Sequence, residues 1–186
     1  MIHIGIDPGL TGAIVGLDDE RQVVFIYDMP TRIKSTTRKR NAKGAMVNKI
    51  KYEIDPLQVA SILRSASQVQ GGTVSLAITI ERVNAMPSKD KETGESRDMG
   101  ATSAFNFGEG FGMIRAVCEL HGQVKLVVPT VWKKAMSLLT MEKDSARLKA
   151  INLFPAVVEQ LKRKKDIGRA DAMLIALHGY IQSEKL

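Results

Sequence analysis

An α/β domain built on a mixed sheet is the fold class this sequence predicts. The order of its segments says so: three strand-like stretches come first, and strands then alternate with helices. The bulk numbers agree. With 186 residues the chain suits one domain and is short for two. Hydrophobic residues make up 44% and aromatic ones only 5%, so the expected core is aliphatic. No internal repeat or linker interrupts the pattern, and residues 1–186 read as a single domain.

The segments IHIGID, GAIVGLD and QVVFIYDMP are strand-like, separated by the turn signals Pro-Gly-Leu-Thr and Asp-Asp-Glu-Arg. The stretch TRIKSTTRKRNAKGAMVNKIK follows, with eight Lys or Arg and no acid. It reads as an exposed basic loop over 31–52, suited to tracking phosphates. DPLQVASILRSAS has helical timing, with Asp55 as N-cap and Pro56 in the first turn. TVSLAITIERV is a strand. NAMPSKDKETGESRDMG, at 84–100, is polar and mixed in charge and reads as a mobile loop. ATSAFNFGEGFGMIRAVCELHG reads as a helix ending at Gly122, and QVKLVVP as a short strand. TVWKKAMSLL, EKDSARLKAINLF and AVVEQLKRKK read as short helices. RADAMLIALHGYIQ is apolar nearly all round, which predicts a buried final helix.

The formal charge is +7 and the isoelectric point about 9.6, a balance that points to a polyanionic partner, most often nucleic acid. The lone Cys118 excludes an internal disulfide and a cysteine metal cluster, and fits a reducing compartment. His3, His121 and His178 are scattered without metal-ligand spacing. A strand pattern at the first residues leaves no room for a signal peptide, and no apolar run approaches the ~20 residues of a membrane span. The expectation is a cytoplasmic protein with no membrane association.

Alternation in the first strand puts Ile2, Ile4 and Ile6 on one face, and His3, Gly5 and Asp7 on the other. VSLAITIE repeats the pattern: Val74, Leu76, Ile78 and Ile80 face one way, and Ser75, Ala77, Thr79 and Glu81 the other. Both strands thus end in a carboxylate on a face of small or polar residues. Sites in α/β sheets gather at the carboxyl ends of strands. If these strands are neighbours, the two acids stand within reach of one ion. Asp171 is a third acid, at the start of the buried last helix. Each has a simpler explanation alone: a turn aspartate before Pro-Gly for Asp7, and an acid favoured by the helix dipole for Asp171. Glu81 is harder to explain so, since no turn signal precedes it. An oxygen-only ligand set suits Mg²⁺ or Mn²⁺, and two such ions serve phosphodiester cleavage. With the positive charge, these acids point to a metal-dependent nuclease.

These residues resemble a known family. GIDPGLTGAIVGL is similar to the first hairpin of the RuvC-type Holliday junction resolvases, within the ribonuclease H-like superfamily. AITIERV resembles their second acidic motif, GRADAMLIALHG their C-terminal acidic helix, and VVPTVWKKAM a segment of the phage-borne branch. The likeness spans about residues 1–180. It implies a five-stranded mixed sheet flanked by helices, and a homodimer that nicks two strands of a four-way DNA junction with two Mg²⁺ per site. It also implies Asp7, Glu81 and Asp171 as catalytic metal ligands, and a bacterial or phage-infected cytoplasm. One position departs: the family has an acid or histidine three residues before the last aspartate, where this chain has Gly168. Asp166 is the substitute expected if the chain bends at Gly168.

Further candidates follow. Met86 is the apolar side chain expected to enter an open junction, or else packs locally. Ala104, Gly108, Gly112 and Ala116 recur every four residues, which suits close packing on the sheet or a dimer partner. GEGFG lacks the frame of a nucleotide loop. Lys133 and Lys134, after Trp132, are phosphate-binding candidates or plain surface lysines. Arg38, Lys39, Arg40 and Lys43 are expected to add sequence-independent DNA affinity. Three rivals remain. An ATP-binding protein of the actin and hexokinase type shares D-x-G-x-T but needs two large lobes. A ribonuclease H-type enzyme on RNA–DNA hybrids is the second, and a non-catalytic junction-binding protein the third.

Overall fold

The computed structural model describes residues 1–42, 44–69, 72–82, 88–89, 96–97, 100–142 and 144–185. Three strands come first: β1 (Ile2–Asp7), β2 (Ala13–Leu17) and β3 (Val23–Asp28). Next are β4 (Thr31–Arg40), β5 (Met46–Ile54), α1 (Pro56–Ser67), β6 (Gln68–Val69), β7 (Gly72–Thr73) and β8 (Leu76–Glu81). Then come β9 (Ser88–Lys89), β10 (Ser96–Arg97), α2 (Ala101–Glu119), β11 (Gln123–Val127), α3 (Pro129–Ala135), α4 (Ser145–Leu153) and α5 (Ile167–Ser183). The α/β class and the five-stranded mixed sheet flanked by helices are as expected. The sheet order is β11-β8-β1-β2-β3. β1 runs parallel to β8, β8 parallel to β11, and β2 antiparallel to both its neighbours.

The sheet has a core on each face. Ile2, Ile4, Ile6, Leu76, Ile78 and Ile80 turn to the α1 and α2 side, against Val59, Leu63, Ile114 and Cys118. The alternation expected in both strands is therefore the one that folds. Each such aliphatic side chain contributes about 1.5–3 kcal/mol by leaving water. On the opposite face α5 packs with Trp132, Met136, Ala150 and Leu161. Its residues from Ala172 to His178 are all buried, as its unbroken apolar character predicts. Gly5 makes this contact possible: a Cβ there would lie 2.0 Å from the Ala172 carbonyl oxygen. The small face of β1 thus lets a helix backbone settle directly on the strand.

α1 starts as its sequence dictates. The Asp55 carboxylate accepts from the Leu57 and Gln58 amides at 3.1 and 3.2 Å, and Pro56 opens the helix. α2 stops at Glu119, three residues before Gly122. AVVEQLKRKK is not a continuous helix. It forms 3₁₀ turns at Pro155–Gln160 and Lys164–Asp166, with non-helical backbone at Val157. Pro155 and the β-branched pair Val157–Val158 explain the break.

The expected basic loop over 31–52 is instead a β-ribbon. β4 and β5 pair antiparallel from Thr31↔Ile54 to Arg40↔Met46, with a register shift between Ile33 and Ser35. Thr, Ile, Val and Tyr between the cations supply β-propensity that charge alone conceals. The tip closes through Asn41, whose amide bonds Ala45 O at 2.9 Å, with Gly44 at φ 79°. The mobile loop expected at 84–100 falls mostly outside the described residues. Within it, Ser88–Lys89 pairs antiparallel with Ser96–Arg97.

Candidate active site

The parallel register of β1 and β8 brings the first two acids together. Gly5 pairs with Thr79 and Ile6 with Ile80. Asp7 and Glu81 are the next residue on each strand, and both follow an inward isoleucine. They therefore project from adjacent strand ends, about 4.8 Å apart in backbone spacing, on the face α5 covers. Both are half-buried. The amide of Gly9 donates to Asp7 Oδ1 at 3.4 Å.

Glu81 is oriented by Trp132. The indole Nε1 donates to Glu81 Oε1 at 2.8 Å, and the ring is fully buried. Trp132 belongs to α3, which follows β11, and Val127 of β11 pairs with Glu81. The strand order thus brings α3 over the end of β8. The half-buried Lys133 places its ammonium 5.3 Å from the indole centroid, so a cation stands beside the same group. Lys134 is exposed on the outer side of α3. The sequence alone marks Trp132 only as core. The signal for more was that a buried indole needs an acceptor.

α5 begins at Ile167, so Asp171 is not in its first turn. The helix-dipole explanation of Asp171 loses its ground, because that effect fades beyond the first turn. Asp171 is half-buried and stands one turn after Gly168, on the same side of the helix. Gly168 itself lies against the β1–β2 turn. A Cβ there would be 2.4 Å from Thr11 O and 3.3 Å from Asp7 Oδ2. The chain therefore does not bend at Gly168, as expected for an Asp166 substitution. Instead Gly168 is helical, and its missing side chain lets α5 close on the Asp7 turn.

The Asp166 carboxylate, expected as the fourth ligand, is bound by Arg163. Arg163 takes both its oxygens, Nη2 donating to Oδ1 at 2.7 Å and the backbone amide to Oδ2 at 2.9 Å. The Arg163 guanidinium holds the Asp166 carboxyl below the usual range. A second clamp joins Arg169 to Asp28 at 2.6 and 2.7 Å, tying the start of α5 to the end of β3. Arg169 lowers the Asp28 carboxyl likewise. Neither clamp was legible in the sequence.

Among the described residues, no group of three acidic, histidine or cysteine side chains stands close enough to hold a metal ion. The donors fit a hard divalent cation in kind, being carboxylates. In number, two stand in register on adjacent strand ends, with Asp171 on the helix above.

Arg38, Lys39 and Arg40 are exposed on the ribbon, facing Asn48, Val47 and Met46 across the ladder. Lys43 and Met86 lie outside the described residues. Along α2, Gly108 and Gly112 face open space, and Phe105 is 71% exposed. Among the described residues, no helix is long and apolar enough to cross a membrane.

No protein-family model matches this chain, and no curated protein matches its sequence. Among solved structures, that of RuvC from Thermus thermophilus is similar, with 14% identity and a TM-score of 0.48. The alignment covers 99% of this chain and 97% of that one.

Proposed function

We propose that this protein is a divalent-metal-dependent, structure-selective endonuclease that resolves four-way DNA junctions by paired nicks. The observation that carries the reading is the register of β1 and β8, which sets Asp7 and Glu81 side by side at parallel strand ends. Carboxylates at neighbouring strand ends offer the hard oxygen donors that a divalent cation takes. The cationic ribbon supplies the second support, since it offers Arg38, Lys39 and Arg40 to a polyanion.

In this reading Asp7 and Glu81 hold Mg²⁺ or Mn²⁺, with Asp171 as the third ligand. Such a cation, when bound, supplies Lewis-acid activation of the phosphodiester and of a water. The chain's own residues do the rest. Trp132 fixes the Glu81 carboxylate by its indole N–H. Lys133 sets a positive charge beside that pair, where a phosphate oxygen gains negative charge. Gly168 and Gly5 let α5 lie close, which keeps bulk water from the back of the site. Asp166 is left to Arg163 and serves to anchor the start of α5. The ribbon holds duplex by its phosphates, without base selection. A second copy is placed along the exposed α2 face at Phe105, Gly108 and Gly112, which sets the spacing of two sites.

The test is Asp7→Asn, assayed on a labelled four-way junction, a linear duplex and an RNA–DNA hybrid, with Mg²⁺ and with chelator. The expected result is Mg²⁺-dependent, paired nicking of the junction by the wild type. The variant should lose nicking while keeping junction affinity within about threefold. Undiminished nicking by Asp7→Asn refutes the site, and cleavage of the hybrid alone refutes the junction as substrate.

A further inference from the structure

A groove of about 700 Å³ lies between the base of the ribbon and α2. Pro8 and Leu10, which follow Asp7 in the β1–β2 turn, form one wall. Tyr52 and Ile54 of β5 form a second, and Phe107 and Met113 of α2 a third. The size is that of a small-ligand cleft. Tyr52 is 51% exposed, an unusual position for an aromatic ring beside a row of cations.

The groove's charges cancel. Lys34 and Lys51 line it together with Glu53 and Glu109. Lys34 donates to Glu109 and lies 3.8 Å from Glu53, which also binds Arg32 at 2.8 Å. Asn106 Oδ1 accepts from Lys34 at 3.2 Å, so the polar wall is fixed before any ligand arrives. Two carboxylates inside disfavour a phosphate. The exposed cations Arg38, Lys39 and Arg40 sit further out on the ribbon. A strand whose phosphates follow the ribbon therefore meets, one step inward, a neutral slot with aromatic walls. Such a slot suits an uncharged planar group that carries hydrogen-bonding edges.

We infer that this groove receives an unstacked nucleobase from the strand whose phosphate lies at Asp7. The inference rests on the nuclease reading above and assigns it a base-sensing element. Tyr52 and Phe107 are its stacking surfaces, and the Lys34–Asn106–Glu109 wall faces the base edge. Base–aromatic stacking of this kind is worth roughly five- to hundredfold in affinity.

The experiment measures junction affinity in chelator and nicking in Mg²⁺, side by side. Each nucleotide flanking the nick is in turn mispaired or made abasic. Both changes leave the position unpaired, so the ratio of the two affinities isolates the contact made by the base. We expect one position where the mispaired form binds about tenfold tighter than the abasic one. Tyr52→Phe should keep that ratio, and Tyr52→Ala and Phe107→Ala should bring it near one. Tyr52 is exposed, so its truncation leaves the fold intact; thermal midpoints verify this for each variant. Nicking and binding with no sensitive position, or with the ratio unchanged in both alanine variants, overturn the groove and leave the nuclease reading standing. Failure to nick any substrate refutes the nuclease reading, and failure to bind the junction overturns both.

Discussion

Trp132→Phe isolates the bond that orients Glu81. The substitution keeps an aromatic ring and removes the donor that reaches Glu81 Oε1 at 2.8 Å. A hydrogen bond to a charged group is worth about 1.5–3 kcal/mol. If that energy holds Glu81 in its working position, losing it costs roughly ten- to hundredfold in nicking rate. Trp132 is also fully buried, so the smaller ring leaves a void. Its cost is a fraction of the ~3–5 kcal/mol that truncation to alanine would carry. A fall in thermal midpoint is expected either way. The discriminating assay is single-turnover nicking of a four-way junction at saturating protein, with DNA affinity in chelator as control. The expected pattern is a rate loss of at least tenfold with affinity unchanged. Trp132 is the sole tryptophan, so the wild type offers a second readout. Titration with Mn²⁺ should change its fluorescence saturably, and Glu81→Gln should abolish the change. Nicking within twofold of wild type, at a lowered midpoint, would refute the positioning role and leave Trp132 as packing alone.

Three other outcomes are expected. Changing Arg38, Lys39 and Arg40 together to alanine should flatten the salt dependence of DNA affinity, by a slope of up to about 0.9 for each phosphate the ribbon no longer neutralises. An unchanged slope in a salt titration removes the ribbon from the DNA. Gly5→Ala forces a Cβ to 2.0 Å from the Ala172 carbonyl, so α5 must lift from β1. The expected cost is about 1–3 kcal/mol, or roughly 2–12 °C in midpoint by calorimetry, and an unshifted midpoint contradicts the close packing. Arg163 and Arg169 hold Asp166 and Asp28 below the ordinary carboxylate range. Groups with lowered folded values contribute stability that is present above the unfolded pKa and lost as pH falls through the folded one. Unfolding midpoints should therefore drop below about pH 4, and Asp166→Asn should reduce that drop; an identical pH profile would argue against the clamp.

The agreement between sequence and structure is uneven for reasons particular residues make plain. Alternation is local, so the isoleucines of β1 and β8 announced their buried face and Asp7 and Glu81 their shared one. Asp55-Pro56 carried its helix start in the same way. The ribbon was hidden because its cations spoke of solvent, whereas its β-branched residues, paired across a turn, made a ladder. Trp132 and Glu81 are 51 residues apart, and nothing in either segment names the other.

By itself, then, the sequence determined which faces are apolar, which helix is buried, and that acids stand at strand ends. These follow from periodicity and side-chain chemistry within a few residues. Only the tertiary structure decided that β1 and β8 are parallel neighbours in a register that sets Asp7 beside Glu81. It alone decided that Gly168 is a contact point rather than a bend, and that Asp166 belongs to Arg163. Register, helix approach and ion-pair choice depend on which distant segments meet. That choice is made by packing the whole sheet against α5, where a missing Cβ at Gly5 or Gly168 settles how near the helix comes.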